Sequence, residues 1–158
     1  MATASVNLSD FNPDELPSGK SLKIALVVAE WNSDITENLF LGAQQALLSC
    51  GVLKHNLLRT NVPGSFELVF GAKKALENDV DAVIVIGSVI QGQTKHFDFV
   101  CQGVTQGIVT LNLTSEVPVI FCVLTDNTHQ QAVDRSGGVH GNKGVEAAVT
   151  ALKMAHLR

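Results

Sequence analysis

Apolar residues follow two alternating periods along the chain from residue 22 onward. Continuous apolar stretches, typical of strands buried on both faces of a sheet, cover 22–29, 81–90 and 117–124, and a weaker stretch covers 56–60. Apolar residues at helical spacing predict helices over 35–50, 65–78, 96–113 and 142–156, with a short helix over 128–136. Strand and helix therefore alternate four times.

This alternation predicts an α/β fold, a flavodoxin-like three-layer α/β/α sandwich with a four-stranded parallel sheet. We expect one domain over 21–158, which suits a chain of 158 residues. Residues 1–20 are polar, carry Pro13, Pro17 and Gly19, and are predicted to form an N-terminal arm. Such an arm either frays or adds a strand to the sheet of a neighbouring subunit.

Composition narrows the class of protein. Hydrophobic residues make up 46% of the chain and charged residues 16%, which is more apolar than a small monomer needs and predicts a subunit interface. The net charge of −4 argues against a nucleic-acid partner, and no apolar run approaches the roughly 20 residues of a membrane span. Three separated cysteines (Cys50, Cys101 and Cys122) and the lack of a signal peptide predict a reduced, cytoplasmic protein without a structural metal.

Ligands of a parallel sheet bind at the carboxyl ends of its strands, where this chain carries polar segments. Trp31, the only tryptophan, follows the first strand and is either a rim residue or a stacking platform for a planar heterocycle. In the 62–67 segment, Ser65 can cap the second helix and Glu67 lies near its positive end. The segment therefore either caps that helix or binds ligand hydroxyls.

The exit of the third strand combines donors for an anion with a histidine. Gly92 and Thr94 precede a helix, and His96 begins it, where the helix dipole favours a neutral imidazole. A neutral imidazole beside an anion can carry protons near pH 7, although a lone histidine is more commonly a surface residue. Asp98 could orient His96 or cap the helix. Arg135 and the glycine-rich 136–144 suit phosphate, or form a flexible connector with a solvated arginine.

Taken together, these segments resemble the lumazine synthase family. The resemblance covers nearly the whole chain from Ile24 and depends on 30–32 (EWN), 62–67 (VPGSFE), 94–98 (TKHFD), Arg135 and 140–144 (HGNKG). It implies condensation of 5-amino-6-(D-ribitylamino)uracil with 3,4-dihydroxy-2-butanone 4-phosphate through imine formation, phosphate elimination and ring closure. The family uses no metal and no organic cofactor.

The resemblance also implies roles for matching positions. His96 is the catalytic, proton-transferring residue. Residues of the pyrimidine and ribityl site are Trp31, Asn32, Ser65, Phe66, Glu67, Ser88, Val89, Ile90, Phe121 and Lys143, and residues of the phosphate site are Gln93, Thr94 and Arg135. Within these sets, the aromatic ring of Trp31 stacks on the pyrimidine, and residues 88–90 offer main-chain contacts. Phe121 and Arg135 reach the site from a neighbouring subunit.

Three positions depart from the family pattern. Lys95 stands where proline is usual, Gln91 where a basic residue is common, and Gln93 where Glu or Ala is more frequent. Lys95 adds a positive charge near the anion loop, so these changes bear on substrate affinity. We do not expect them to abolish activity.

The resemblance further implies a homo-oligomer, at least a pentamer, with active sites between subunits and with riboflavin synthase as a candidate protein partner. Family members that stop at pentamers tend to carry extra residues between the last two helices. Here only 137–141 separate Ser136 from Asn142, which favours a closed icosahedral capsid of pentamers.

Other function classes remain open at this point. A non-catalytic flavin- or lumazine-binding protein on the same fold would be expected to lose His96 or Arg135, and both are present. A flavodoxin-like electron carrier or a receiver domain would need a hydroxyl-rich phosphate loop or paired acids after the first strand, and 30–32 supplies neither. A shell-forming scaffold would add to the enzyme function instead of replacing it.

Overall fold

Four parallel strands form the centre of the protein. The computed structural model describes Asn7 and residues 9–157. The strands are β1 (Ile24–Ala29), β2 (Leu57–Val62), β3 (Ala82–Ile90) and β4 (Val119–Asp126), in the order β2-β1-β3-β4. In the ladder, Val27 pairs with Thr60 on one side and with Val85 on the other. The predicted parallel sheet is confirmed.

Helices cover both faces of this sheet. They are α1 (Ser33–Ser49), α2 (Leu68–Ala75), α3 (His96–Thr114), α4 (His129–Arg135) and α5 (Lys143–Ala155). Apolar residues of α1, α4 and α5 form one core with the sheet, and those of α2 and α3 form a second core on the opposite face. The predicted three-layer sandwich is therefore confirmed. Among the helices of the described residues, none is long and apolar enough to cross a membrane.

Burial of the central strands on both faces explains their continuous apolar sequence. Successive residues of β1 point to opposite cores: Leu26 belongs to the α1–α5 core and Val27 to the α2–α3 core, and both are fully buried. Each such side chain contributes about 1.5–3 kcal/mol of burial free energy. A polar residue at either position would lose that contribution and leave an unpartnered group in a core.

The glycine-rich segment after α4 differs from the predicted connector. It forms a small antiparallel hairpin of β5 (Ser136–Gly138) and β6 (Gly141–Asn142), with Gly137 and Gly141 at φ angles of 120° and 81°. Only glycine adopts such angles readily. The Asn142 side chain then accepts a hydrogen bond from Gly144 N (2.8 Å) and caps α5. These glycines therefore shape a turn and a helix start.

The N-terminal arm lies on its own domain where it is described. Residues 1–6 and 8 lie outside the described residues. Pro13–Glu15 form a 3₁₀ helix, Phe11 and Leu16 pack against the α1–α5 core, and Ser9 Oγ accepts a hydrogen bond from Asn142 N (2.9 Å). Residues 9–20 contain no strand. The strand that the arm would add to a neighbour's sheet stays a prediction.

The contact between α1 and α5 depends on a glycine. A Cβ atom placed on Gly144 would lie 1.9 Å from the carbonyl oxygen of Leu39 in α1. Backbone atoms on both helices would have to separate to accept it, and the core beneath them is closely packed. Gly144 thus lets the two helices approach each other.

Gly144→Ala should lower the free energy of unfolding by about 3 kcal/mol, the upper part of the usual range for overpacking. Urea unfolding followed by circular dichroism measures it. The matched control is Gly92→Ala, where an added Cβ meets no atom within 4 Å, and its stability should change little. Equal stability of the two variants would contradict the close helix contact.

Candidate functional site

A cavity of about 530 Å³ opens at the carboxyl ends of β1 and β3. It is lined by Trp31, Asn32, Ser65, Phe66, Glu67, Ser88, Val89, Ile90, His96, Phe99 and Val100. The structure thus brings together His96 and every predicted pyrimidine and ribityl residue except Phe121 and Lys143. We call this space the strand-end cavity.

Trp31 forms an aromatic wall of the strand-end cavity. Its indole packs directly on Gly64, where an added Cβ would lie 2.5 Å from Trp31 Cε3. A hydrogen bond from Trp31 N to Pro63 O (3.1 Å) fixes the main chain. The side chain is nevertheless 66% exposed. One part of the ring is therefore supported by backbone while the rest is free to contact a ligand.

Asn32 connects the ends of two strands. Its φ of 57° and ψ of 47° lie in the left-handed region, which asparagine tolerates better than most residues. The side chain Nδ2 donates to Ser88 O (2.9 Å), and the main-chain oxygen accepts from Ile35 N (2.9 Å) at the start of α1. Asn32 therefore holds the turn that presents Trp31.

The prediction that Ser65 caps α2 is wrong. The helix begins at Leu68 after a turn over 65–67, its N-cap residue is Glu67, and no side chain caps it. Ser65 is buried, and its hydroxyl donates to Ser88 O at 3.5 Å. The helix therefore starts three residues later than predicted.

Two buried polar atoms of cavity-lining residues lack a hydrogen-bond partner among the described residues. They are Glu67 Oε2 and Ser88 Oγ. Leaving such an atom unsatisfied costs about 1–3 kcal/mol, so most buried polar atoms are paired. These two atoms are therefore available to hydroxyl or N–H groups of a ligand.

His96 stands at the first position of α3, as predicted. Its main-chain N–H donates to Thr94 Oγ1 (3.4 Å), and its side chain is exposed and has no hydrogen bond to a described residue. Asp98 neither orients the imidazole nor caps the helix: the cap residue is Lys95, and the Asp98 main-chain N–H donates to Lys95 O. The imidazole is consequently free to exchange protons with a ligand.

Phe99 and Val100 line the strand-end cavity, and the sequence reasoning missed both. They follow His96 within the first turns of α3, where an apolar residue can equally well pack a helix face against the sheet. A spacing of three to four residues from His96 was the signal that could have identified them.

Phe121 and Lys143 lie elsewhere. They line a separate cavity of about 370 Å³ along edge strand β4, which shares no lining residue with the strand-end cavity. Lys143 Nζ donates to Glu146 Oε1 (2.6 Å) at its rim. One chain by itself therefore does not bring these two residues to His96.

The predicted phosphate residues lie on two elements, the loop after β3 and the end of α4. Gln93 and Thr94 are exposed in the loop between β3 and α3. Arg135 ends α4, where its Nη1 donates to Gln131 O (3.1 Å) and lies 3.9 Å from Asp126 Oδ1. These residues are not among those that line the cavity.

Neither thiols nor metal ligands converge at the site. Burial raises the pKa of the Cys122 thiol to about 12, so it stays protonated and is a poor nucleophile. Burial also raises the pKa of Cys50 and of Cys101. Within the described ranges, no group of three or more His, Cys, Asp or Glu side chains could hold a metal ion.

Comparison with known proteins identifies the family. Residues 21–158 match the family model of 6,7-dimethyl-8-ribityllumazine synthase. The chain belongs to this family. It is similar to the 6,7-dimethyl-8-ribityllumazine synthases of Flavobacterium johnsoniae (60% identity, 100% of this chain and 84% of the relative) and Porphyromonas gingivalis (57%, 99% and 98%). A third relative, from Christiangramia forsetii, is 56% identical over 100% of this chain and 95% of its own length.

Membership of the lumazine synthase family confirms the resemblance read from the sequence. The similarity to the F. johnsoniae relative extends through the N-terminal arm, which the family model leaves out. The arm is thus shared by full-length relatives, together with the domain that carries the cavity.

Proposed function

We propose that the strand-end cavity binds 5-amino-6-(D-ribitylamino)uracil, and that the chain condenses it with 3,4-dihydroxy-2-butanone 4-phosphate. The products are 6,7-dimethyl-8-ribityllumazine, phosphate and water, and the reaction is the penultimate step of riboflavin biosynthesis. One observation carries the proposal: an exposed indole, two unpartnered buried oxygens and a free imidazole line the same cavity. Family membership supports the same reaction.

The pyrimidine ring is proposed to lie on Trp31, against the end of β3. The ladder between β1 and β3 ends at Val28 and Ile86, whereas β3 continues to Ile90 along β4. On the β1 side, the main chain of Ile90 therefore has no strand partner in the described chain, whereas that of Val89 is directed toward β4. The N–H and C=O groups of Ile90 can pair with the N–H and C=O groups of a pyrimidinedione.

The polyhydroxylated ribityl chain is proposed to extend toward the start of α2. Glu67 Oε2 and Ser88 Oγ are the unpartnered atoms there, and each can accept a hydrogen bond from a ribityl hydroxyl. Phe66 forms an apolar part of the same wall. This arrangement favours a ligand that combines one flat ring with a string of hydroxyls.

His96 is proposed to move protons during the condensation. Imine formation transfers a proton from the attacking amine to the departing hydroxyl. Phosphate elimination removes a proton from the carbon next to the one that bears the phosphate. The exposed His96 imidazole lines the cavity and is held by no described residue, so it can serve both steps. Holding both reactants together supplies much of the remaining acceleration.

The phosphate is proposed to bind at Thr94, Gln93 and Arg135. The Thr94 hydroxyl oxygen accepts from His96 N, so its proton is free to be donated to an anion. Arg135 brings a guanidinium that is always charged. Lys95, which departs from the family pattern, adds a second positive charge next to Thr94.

Complete sites are proposed to form between subunits of a homo-oligomer, at least a pentamer. The division of predicted site residues between two cavities supports this, because Phe121 and Lys143 on one chain can complete the strand-end cavity of a neighbour. Exposed apolar side chains support it too, among them Phe70, Phe99 and Leu113.

The short β5–β6 hairpin, without an insertion, favours a closed icosahedral shell of pentamers. Cytoplasmic localisation and association with riboflavin synthase stay predictions.

Binding of the product should quench the fluorescence of Trp31, the only tryptophan. A conjugated lumazine stacked on the indole provides the quenching path. Titration with 6,7-dimethyl-8-ribityllumazine, corrected with N-acetyltryptophanamide at equal absorbance, measures it. Glu67→Gln should shift the midpoint about fivefold or more to higher product concentration, because a neutral amide replaces the charged acceptor of a ribityl hydroxyl. Unchanged emission at a product concentration that saturates in equilibrium dialysis would remove Trp31 from the site.

His96→Gln should slow phosphate release from the two mixed substrates by roughly 10²-fold, the usual contribution of a general acid–base group. The control is His55→Gln, which changes an exposed histidine in the 3₁₀ helix before β2. The control should keep the parent rate. Equal rates for His96→Gln and the parent would exclude His96 from proton transfer, and no phosphate release by the parent would favour a non-catalytic binding protein.

Mixed assemblies of His96→Gln and Arg135→Ala chains should regain activity. When one subunit supplies His96 and its neighbour supplies Arg135, about a quarter of the sites in an equal mixture hold both native residues. The two variants are dissociated, mixed and reassembled, and phosphate release is compared with each variant reassembled alone. If the chains are shown to assemble but neither the mixture nor the single variants release phosphate, both residues belong to the site of one chain.

Sedimentation of the native protein at neutral pH, in phosphate and in Tris, measures the assembly itself. A species much larger than a pentamer supports the shell. Pentamers alone in both buffers would exclude the shell, and monomers would exclude the shared site as well.

A further inference from the structure

A buried aspartate at the end of β4 contacts both the loop of Gln93 and Thr94 and, on α4, Arg135. Asp126 is the last residue of β4, and it is only 8% exposed. Its main-chain oxygen accepts a hydrogen bond from Gln91 N (2.9 Å), at the start of the loop that carries Gln93 and Thr94. Asp126 thus connects the phosphate loop to β4.

The side chain of Asp126 lies close to Arg135, the last residue of α4. Its Oδ1 lies 3.9 Å from Arg135 Nη1, and its Oδ2 is buried without a hydrogen-bond partner among the described residues. The ion pair is therefore electrostatic contact without a hydrogen bond. No backbone cap or turn uses this carboxylate in the described chain, so the fold gives no other reason for the charge.

The guanidinium of Arg135 contacts other described residues through one nitrogen, Nη1. Nη1 donates to Gln131 O (3.1 Å) and is the atom nearest Asp126, whereas Nε and Nη2 have no partner among the described residues. The Nε–Nη2 edge presents two parallel N–H donors. This edge has the geometry that binds two oxygens of one phosphate.

We propose that Asp126 is a positioning residue for the phosphorylated substrate. It attracts Arg135 Nη1 and so leaves the Nε–Nη2 edge of the guanidinium turned toward the phosphate. The proposal rests on the proposed function and adds to it the residue that orients the phosphate-binding arginine. Asp126 itself does not touch the substrate, because a carboxylate repels a phosphate dianion.

The buried charge of Asp126 lowers the stability of the folded chain. Burial raises the pKa of Asp126, and Arg135 opposes this shift in part. Because the pKa is higher in the folded than in the unfolded chain, the charged carboxylate weakens folding at every pH above the folded-state pKa. The weakening disappears as the pH falls below the unfolded-state pKa. A residue that served stability alone would not be expected to carry this charge.

Asp126→Asn keeps the shape of the side chain and removes its charge. It should raise KM for 3,4-dihydroxy-2-butanone 4-phosphate roughly five- to tenfold, in keeping with one charged interaction, and leave KM for the pyrimidine unchanged. The inhibition constant of inorganic phosphate against the same substrate should rise in parallel. The melting temperature at pH 7 should not fall, whereas a purely structural role predicts a lower melting temperature and changes in both KM values.

Three further comparisons make the result specific. In an Arg135→Ala background, Asp126→Asn should have no additional effect, because Asp126 acts through Arg135. The matched control is Asp134→Asn, since Asp134 adjoins Arg135 in sequence but its Oδ1 accepts from Gln130 Nε2 (2.8 Å). Its KM values should equal those of the parent. Asp126→Ser, measured alongside, removes the charge with a smaller side chain and should reproduce the effect of the asparagine variant.

An unchanged or lower KM for the phosphorylated substrate in both Asp126 variants would overturn the proposal while the parent still releases phosphate. An equal effect of Asp126→Asn with and without Arg135 would also overturn it. Failure of the parent to release phosphate from the two substrates would instead overturn the proposed function. The two failures are therefore distinguishable.

Discussion

The pairing of β1 with β3 is the contact on which the candidate site depends. Both strands are buried on both faces over their paired residues, so a shift in register would move apolar side chains out of two cores at once. This register places the turn at Trp31 beside the end of β3. The hydrogen bond from Asn32 to Ser88 O then continues the connection past the last paired residues. Hydrophobic burial in the middle of the sheet thus fixes polar geometry at its edge.

The elements that the sequence predicts well are those dominated by burial. The central stretches 22–29 and 81–90 became β1 and β3 with ends that differ by two residues or fewer, because strands buried on both faces leave an unmistakable apolar run. His96 also starts its helix as predicted, since the loop before it is polar and glycine-containing. Strand ends in a parallel sheet meet at one edge, so the cavity followed from the same pattern.

Features decided by tertiary contacts were not predictable from local pattern. Ser65 has the chemistry of a helix cap, but its hydroxyl is buried against the carbonyl of Ser88, which is distant in sequence, and α2 begins only at Leu68. The glycines of 136–144 suit a phosphate loop equally well, yet Gly144 is needed where α5 meets the Leu39 carbonyl. The division of Phe121 from the strand-end cavity depends on which edge β4 occupies, and no local period contains that information.

Unsatisfied polar atoms mark the edge of the sheet at which chemistry is proposed. Among the described residues, the buried side-chain atoms without a hydrogen bond are Thr36 Oγ1, Glu67 Oε2, Ser88 Oγ and Asp126 Oδ2. Ser88 and Asp126 lie at strand ends, Glu67 lies in the turn after β2, and Thr36 lies in the first turn of α1, so all four lie toward the carboxyl edge of the sheet. A fold selected for stability alone would pair or remove such atoms, because each costs free energy. Two of them, Glu67 Oε2 and Ser88 Oγ, belong to residues that line the strand-end cavity, where the ribityl hydroxyls are proposed to supply the missing partners.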